Sequence, residues 1–304
     1  MKGIHIGISG WRYEPWRGDF YPEGLVQRRE LEYASRTVNS IEVNGSFYSL
    51  QTPQRYIGWR DATPDDFVFS VKAPRYITHI KRLRDISEAM ANFYGSGPLQ
   101  LEHKLGPFLW QFPPSFKFDP GLFAELFALL PRTFGEATQC ASRSQRFADP
   151  PATISAQSTP LRHAVEIRNP SFLQEEFIDL LRQHRIALVV ADTAGKWPLV
   201  EELTADFMYL RLHGDKELYT SGYDEKALSR WEQRIRHWHR GQQPDDARRI
   251  SSKPQGSGAG RDVYCYFDND VKVRAPYDAR RLLEKLGLAD DLQEQPGRLS
   301  GEFL

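Results

Sequence analysis

Short apolar runs recur along the chain, and most are followed by a stretch with helical periodicity. Eight runs are rich in β-branched and aromatic residues, which favours strands. Between them, apolar residues recur every three or four positions, which favours helices. The predicted strands cover residues 4–9, 40–44, 67–72, 108–112, 163–167, 186–191, 207–212 and 263–267. The predicted helices cover residues 25–36, 53–61, 86–94, 122–130, 175–184, 200–203, 227–239 and 278–286.

Strands that alternate with helices predict parallel βαβ units. Eight such units predict an α/β protein with one domain over residues 1–304, a (β/α)8 TIM barrel with a polar pocket at the carboxyl ends of its strands. An open doubly wound sheet is the alternative architecture. That sheet would place a glycine-rich turn after the first strand, whereas this chain has Gly10-Trp11-Arg12, which is too bulky to cradle a pyrophosphate.

Two long segments show neither the alternation of a strand nor the three- to four-residue period of a helix. Residues 135–160 are rich in Ala, Ser, Thr, Gln and Pro, and residues 240–261 contain the sequence DDARRISSKPQGSGAG. Both lie between a helix and the next strand, and in a barrel such loops reach the amino-terminal face, away from the chemistry. We therefore expect flexible surface insertions at both places. For the second segment, a basic contact arm is the alternative.

Composition narrows the class of function. Lys and Arg together number 40, as do Asp and Glu, so the formal net charge is zero and the chain lacks the global basic field of a strong nucleic-acid binder. The two cysteines, Cys140 and Cys265, form no CxxC pair, which disfavours a disulfide framework or a cysteine zinc site. No apolar run is long enough to span a membrane or marks a signal peptide. We therefore expect a cytoplasmic protein without a membrane partner.

Ionisable and amide residues concentrate where the predicted strands end. In barrel enzymes the reactive groups lie at these carboxyl ends and in the loops that follow. Residues two apart on a strand point to the same side, so one strand end can present a pair to the barrel axis. Acids and bases crowded in such a cleft shift one another's pKa values and can transfer protons. The pairs are Glu42 with Asn44, Glu166 with Arg168, and Arg211 with His213.

We assign two roles to the strand-end residues. The candidate catalytic residues are Glu42, Lys72, Glu166 and His213. The candidate substrate-binding residues are Trp11, Asn44, Phe47, Tyr48, Gln111, Arg168, Asp192, Arg211, Asp268, Asn269 and Asp270. The aromatic members would stack on a planar or sugar-like ligand, and the basic members favour a phosphate or carboxylate. The alternative is a structural ion-pair network in which the aromatic residues fill the core.

A metal site receives less support from the sequence. Four strand-end residues offer the ligands that magnesium or manganese prefers, namely Glu42, Glu166, Asp192 and His213. No HxH or HExxH motif accompanies them, and only His79 and His213 follow strand ends, which is too few for a multi-zinc centre. We therefore predict no cofactor, with a divalent metal as the alternative.

Several ordered motifs resemble the YecE-like family, a domain of unknown function. They are EVNGSFYSLQTPQRYIGWRDATPDDFVFSVKAPRYITH, GPFLWQFPPSF, AVEIRNPSF, YLRLHG and YFDND, and the similarity runs from residue 4 to about residue 286. The resemblance implies a TIM barrel and no established activity. It also implies a pocket formed by Glu42, Asn44, Phe47, Tyr48, Lys72, Gln111, Glu166, Arg168, Arg211, His213, Asn269 and Asp270.

This chain departs from the usual family pattern at two positions. Asn169 stands where the family usually has His, and Asp268 stands where it usually has Asn. If these positions contact ligand, the site of this protein is more acidic and lacks one proton carrier.

Three functions fit the pattern. The first is a cofactor-independent hydrolase, lyase or isomerase that acts on a small anionic substrate, with Glu42 or Glu166 as the base and His213 as a proton shuttle. In this hypothesis Lys72 and Arg211 hold the anion. The second is a nucleic-acid processing or binding protein whose aromatic mouth takes an unstacked nucleotide. Its cations would be Arg12, Arg17, Arg75 and Arg168. The third is a non-catalytic ligand-binding barrel.

Overall fold

The eight predicted strands form a closed barrel. A computed structural model describes residues 3–147, 152–253 and 258–298. The strands are β1 (Ile4–Ser9), β2 (Ser40–Val43), β3 (Val68–Lys72), β4 (Leu105–Gln111), β5 (His163–Glu166), β6 (Ala187–Asp192), β7 (Phe207–Leu212) and β8 (Asp262–Phe267). They follow chain order, every neighbouring pair is parallel, and β8 pairs back with β1. The TIM barrel predicted from the sequence is therefore confirmed.

The described residues contain nine α-helices. They are α1 (Glu30–Thr37), α2 (Gly45–Tyr48), α3 (Pro53–Asp61), α4 (Ser87–Gly95), α5 (Pro120–Leu129), α6 (Phe134–Ala141), α7 (Glu175–Gln183), α8 (Glu225–His239) and α9 (Arg274–Leu286). Two of them begin at a proline that follows a capping residue. The side chains of Thr52 and Asp119 accept hydrogen bonds from the first turns of α3 and α5. The short α2 and the helix α6 were not predicted.

Strand side chains divide between two apolar layers. Outward-facing residues such as Ile6 and Ile8 pack in the layer beneath the helices. Alternate residues fill the barrel interior, and they include Leu109, Ala164, Ala187, Val189, Ala191, Phe207, Tyr209, Tyr264 and Tyr266. The interior is thus packed with apolar and aromatic groups below the strand ends, which leaves the polar residues to gather at the carboxyl-terminal mouth.

Residues 200–203 differ from the prediction because they form no helix. The carboxylate of Glu202 instead accepts hydrogen bonds of 2.6 Å from the backbone N–H groups of Ile250 and Ser251. Glu201 accepts one from the N–H of Arg248 over 2.9 Å. These contacts explain why the segment is not helical, and they hold residues 248–251 of the second predicted insertion against the segment before β7.

The first predicted insertion also differs, since α6 lies partly within it. Thr133 caps α6 by accepting a hydrogen bond from the N–H of Glu136 over 3.2 Å. Phe134, Ala137 and Cys140 are buried at helical spacing, a pattern hidden by the polar composition of the whole segment. Residues 148–151 and 254–257 lie outside the described residues. The flexibility of the remaining parts of both insertions stays a prediction.

Among the described residues, no helix is both long and apolar enough to cross a membrane. Cys140 and Cys265 are free and buried, so they form no disulfide with each other. The cytoplasmic location expected from the sequence stays a prediction.

Candidate functional site

Arg211 occupies the centre of the barrel at the strand ends, where it is fully buried. Its guanidinium group binds three carboxylates, each contributed by a different strand end. Nη2 lies 2.9 Å from Glu42 Oε1 and 2.8 Å from Asp268 Oδ2. Nη1 lies 2.8 Å from Glu166 Oε2. The planar fork of an arginine suits such an arrangement because it offers five N–H donors in fixed directions.

Glu42 makes further hydrogen bonds below and beside Arg211. The hydroxyl group of Ser9 donates to Oε1 over 2.5 Å, and that of Tyr209 donates to Oε2 over 2.6 Å. Ser70 Oγ lies 2.6 Å from the Tyr209 hydroxyl oxygen, which links the carboxylate to the packed barrel interior. Both oxygens of this buried carboxylate are therefore occupied.

His213 completes this set on the other side of Arg211. Its Nε2 lies 3.3 Å from Arg211 Nη1, and its Nδ1 lies 3.0 Å from Asp268 Oδ2. Arginine can only donate hydrogen bonds, so Nε2 of His213 accepts and the proton of the neutral ring lies on Nδ1. The Nδ1–H group does not point at Asp268 with the geometry of a hydrogen bond. We name the set the Arg211 cluster; it consists of Ser9, Glu42, Glu166, Tyr209, Arg211, His213 and Asp268.

The electrostatics of the cluster favour fixed charges. Burial alone would raise the pKa of Glu166, but Arg168 and Arg211 outweigh burial and hold that pKa well below its usual range. Burial likewise opposes ionisation of Asp268, yet Arg211 and His213 hold its pKa low. Burial, followed by the charge of Arg211, lowers the pKa of His213, so its imidazole is neutral at pH 7. Carboxylates with such low pKa values are weak bases.

A cavity of about 650 Å³ opens at the mouth of the barrel, next to the Arg211 cluster. Nine of the predicted site residues line it, namely Trp11, Asn44, Phe47, Tyr48, Lys72, Gln111, Arg168, Asp268 and Asp270. We name this space the mouth cavity. Glu42, Glu166, Arg211 and His213 lie beneath it, and only Asp268 belongs both to its lining and to the Arg211 cluster.

The mouth cavity contains residues that strand-end reasoning did not assign to the site. Gln51 precedes α3, Arg55 and Trp59 belong to α3, and Tyr219 lies in the loop after β7. The N–H of Tyr219 donates to the carbonyl of His213 over 2.5 Å, which ties that loop to the cluster. Tyr219 could have been predicted from the sequence, because it lies in the loop that follows β7. The residues of α3 carry no comparable sequence signal.

Lys72 lies on the wall of the mouth cavity and is only 5% exposed. Its Nζ lies 4.2 Å from the centroid of the Phe47 ring. No described residue forms a hydrogen bond or an ion pair with this amine. Burial and, next, the charge of Arg211 lower the pKa of Lys72 to about 8, against the opposing effect of the acids of the cluster. A fraction of the amine is therefore unprotonated near neutral pH.

Three arginines place positive charge on the cavity lining. Arg168 is the most constrained, because its Nε donates to Glu166 over 2.7 Å and its guanidinium stacks 3.8 Å from the Trp197 ring centroid. Arg12 and Arg55 are exposed at the rim. The remaining donors of these groups suit an anion held between them.

Two titratable groups on the lining of the mouth cavity, Asp270 and His79, differ in what they can do with a proton. Burial and, second, Asp268 raise the pKa of Asp270 to about 6, so this carboxyl group exchanges protons close to neutral pH. Burial and, second, Lys72 lower the pKa of His79 to about 4, so its imidazole is neutral. Asp270 is therefore the stronger candidate for a proton carrier in the mouth cavity.

Asp192 does not reach the mouth cavity, in contrast to the sequence-based expectation. It follows Ala191, which faces the barrel interior, so Asp192 faces the surrounding helices. Its carboxylate accepts a hydrogen bond of 3.3 Å from the Tyr223 hydroxyl group and lies 3.8 Å from Arg230. Because β6 is buried on both faces, its apolar pattern did not reveal which residues point inward.

Two asparagines at strand ends hold loops in place. Asn269 also lies outside the cavity lining, since its Nδ2 donates over 3.0 Å to the carbonyl of Ser221 and to Asp278. Asn169 donates to the carbonyl of Pro114 over 2.6 Å and accepts from a backbone N–H two residues on. Asn169 is thus a loop-capping group in this structure.

The acids proposed as metal ligands are engaged otherwise. Glu42 and Glu166 point their oxygens at Arg211, and Asp192 lies on the opposite face of its strand. Within residues 3–147, 152–253 and 258–298, no three His, Cys, Asp or Glu side chains form a group that could hold a metal ion.

Comparison with known proteins assigns the fold and the motifs to one family. The family model described as "Protein of unknown function DUF72" matches residues 5–299. The chain belongs to this family. The resemblance found in its motifs is thereby confirmed.

Individual relatives agree with that assignment. The UPF0759 protein YecE of Escherichia coli O157:H7 is 26% identical over 241 residues, which cover 78% of this chain and 82% of that protein. The crystal structure of a DUF72 family protein from Thermotoga maritima is 26% identical and superposes with a TM-score of 0.69 over 94% of this chain and 99% of that one. A DUF72 family protein from Enterococcus faecalis, 16% identical, shares the fold with a TM-score of 0.67 over 98% of this chain and 100% of that one.

Proposed function

We propose that the protein is an enzyme that binds a small phosphate- or carboxylate-bearing substrate in the mouth cavity and exchanges a proton with it through Lys72. The observation that carries the proposal is the amine of Lys72, which is buried on the cavity wall without a hydrogen bond or ion pair to any described residue. A purely structural ion-pair network would pair a buried cation, because an unpaired one costs stability. Such a residue in a cleft is typical of a functional group.

The surroundings suggest a division of labour. Arg168 and the rim arginines Arg12 and Arg55 would hold the anion, while Asp270 would exchange the second proton. The Arg211 cluster would supply a rigid floor of fixed charge, since Glu166 is too weak a base for proton abstraction at neutral pH. This assignment moves the base from the two glutamates of the sequence-based hypothesis to Lys72.

Anion binding tests the proposal directly. Isothermal titration calorimetry at low ionic strength with inorganic phosphate, and separately with oxalate, should show saturable binding of at least one anion. The double variant with Arg12→Met and Arg55→Met should bind it at least about tenfold more weakly, because it loses two charge-assisted contacts. The matched control is Arg84→Met, an exposed arginine outside the cavity lining. If neither anion binds the wild-type protein, the proposal fails.

A second candidate function, single-stranded nucleic-acid binding, is favoured by a groove of about 950 Å³ that shares Phe47 and Tyr48 with the mouth cavity. The rings of Tyr48 and Tyr76 are 68% and 49% exposed there, and Arg75 and Arg146 add positive charge. Exposed aromatic rings beside cations suit unstacked bases and their phosphates.

Fluorescence anisotropy with a labelled oligothymidylate tests this candidate. If the groove binds nucleic acid, affinity should fall steeply between low and physiological salt, and Tyr76→Ala should weaken it by about 1–3 kcal/mol. If the oligothymidylate does not bind at low salt, nucleic-acid binding is ruled out as a function of this groove.

A further inference from the structure

Two almost fully buried lysines lie at opposite ends of strands, Lys72 at the end of β3 and Lys104 just before β4. They differ in their hydrogen-bond partners. Lys104 is 3% exposed, and its Nζ donates to the carbonyl oxygens of Arg60 and Thr63 over 2.7 and 2.8 Å. Lys72 is 5% exposed and has no comparable acceptor among the described residues. Lys104 thus has the environment of a structural lysine, and Lys72 does not.

The Arg211 cluster explains why Lys72 lacks an acceptor. Three acids carry charges that act on Lys72. All three direct carboxylate oxygens at Arg211, namely Glu42, Glu166 and Asp268. The lysine is left with the face of the Phe47 ring on one side and the open cavity on the other. The unprotonated fraction of an amine held in this way can attack a ligand in the cavity.

We infer that the substrate carries an aldehyde or ketone group besides its anion, and that Nζ of Lys72 forms an imine with its carbonyl carbon. This inference rests on the proposed function for the anion held in the same cavity. It changes the role of Lys72 from exchanging a proton to bonding the substrate, so that Asp270 carries the protons. The desolvated lysine in a partly apolar pocket is the arrangement that activates an amine for such chemistry.

The step balances without an oxidant or reductant. The Nζ lone pair forms the N–C bond while the carbonyl π pair moves to oxygen, which takes a proton and becomes the hydroxyl group of a carbinolamine. Nitrogen loses a proton, the hydroxyl group takes another and leaves as water, and a C=N bond remains. Asp270 lies in the same cavity lining and can carry these protons. The imine then draws electrons from the neighbouring carbon, which favours proton abstraction or bond cleavage there.

Charges from four other strand ends act on Lys72. Arg211 on β7 opposes its protonation, whereas Glu42 on β2, Asp268 after β8 and Glu166 on β5 favour it. His79 and Arg168 also line the cavity, and His79 is neutral. Asp270, whose pKa burial and Asp268 raise to about 6, lines the same cavity. The pH dependence of imine formation should therefore follow Lys72 and Asp270, with the other charges as a fixed background.

Reductive trapping tests the inference on the intact protein. Glycolaldehyde phosphate is added with cyanoborohydride near pH 7.5, and adducts are located by peptide mass spectrometry. Lys72 should be modified at least about tenfold faster than the exposed Lys196, because burial lowers the pKa of Lys72 and leaves a fraction of its amine unprotonated near pH 7.5. The variant Lys72→Met should lose the fast adduct, and Lys196→Met should keep it. Circular dichroism confirms that both variants fold.

A second ligand separates the two proposals. The alcohol 2-hydroxyethyl phosphate carries the same anion without a carbonyl group, and its binding is measured by calorimetry. If Lys72 is modified faster than Lys196 and the alcohol binds and protects it from modification, both proposals are supported. If it binds but Lys72 is not modified faster than Lys196, the imine is overturned and anion binding stands. If Lys72 is modified quickly but no anion binds or protects it, the anionic substrate is overturned and the reactive lysine stands. If neither occurs, both fail.

Discussion

The Arg211 cluster and the mouth cavity lie next to each other at the same end of the barrel, yet they treat charge in opposite ways. In the cluster, one guanidinium is bound by Glu42, Glu166 and Asp268 within 2.8–2.9 Å, and the group is buried. In the cavity, Lys72 is almost as deeply buried but lacks a hydrogen-bonding or ion-pairing partner among the described residues.

This difference separates two readings that the sequence left open. A saturated network satisfies its own charges and holds strand ends together, which is the structural role. An unsaturated cation raises the free energy of the folded protein and is retained where it serves a ligand. Both readings are therefore expected to hold in this barrel, one for each region.

The largest expected effect comes from removing the centre of the cluster. The substitution Arg211→Met leaves three buried carboxylates without their shared partner, so the free energy of unfolding should fall by about 3–5 kcal/mol. Urea denaturation followed by circular dichroism measures this change. The milder variant Arg211→Lys keeps the charge but not the fork and should retain part of the stability if the first variant does not fold.

A matched arginine provides the control for that experiment. The side chain of Arg230 is 48% exposed and lies 3.8 Å from Asp192, so Arg230→Met should change the free energy of unfolding by less than about 1 kcal/mol. Equal losses in Arg211→Met and Arg230→Met would contradict the distinction between a buried cluster and an exposed pair.

A smaller effect of opposite sign is expected from Lys72→Met. The pKa of Lys72 falls from its ordinary value of 10.5 to about 8 in the folded protein, so the folded state binds this proton less tightly than the unfolded state does. The resulting cost is fully present below pH 8 and disappears as pH rises through 10.5. Removing the amine should therefore stabilise the protein by about 2–3 kcal/mol at pH 7.

Urea denaturation at pH 7 and at high pH measures this gain and its loss. Lys196→Met is the control, since that lysine is exposed and lies 5.2 Å from the Trp197 ring centroid. It should change the free energy of unfolding by less than about 0.5 kcal/mol. A Lys72→Met protein that is less stable than the wild type at pH 7 would show that the lysine is structural.

The fold was accessible from the sequence because its signal is local and repeated. Each strand is a short apolar run, and in a barrel the order of strands follows the order of the chain. The failures occurred where a distant contact overrides local pattern. Residues 200–203 form no helix because Glu201 and Glu202 bind the backbone of residues 248–251, a contact that no local pattern contains.

The candidate site was accessible only in part. Strand ends located Lys72, Gln111 and Asp268, which line the mouth cavity. Arg55 and Trp59 were missed because they belong to α3, whose local pattern does not show that it borders the mouth. Residue types alone could not show that Arg211 is paired and that Lys72 is not. That difference depends on distances of a few ångströms between side chains on different strands.

The smallest expected effect concerns Asp268, which belongs to both regions. Its carboxylate favours protonation of Lys72, so Asp268→Asn should lower the pKa of Lys72 further below 8, by a few tenths of a unit to about one unit. The rate of reductive trapping at Lys72, measured against pH, should then reach its midpoint at a lower pH than in the wild-type protein. The exposed Asp290 offers the control, because Asp290→Asn should leave the midpoint unchanged. A midpoint that stays in place in Asp268→Asn would mean that the charge of the cluster does not reach the cavity, and the two regions would then act independently.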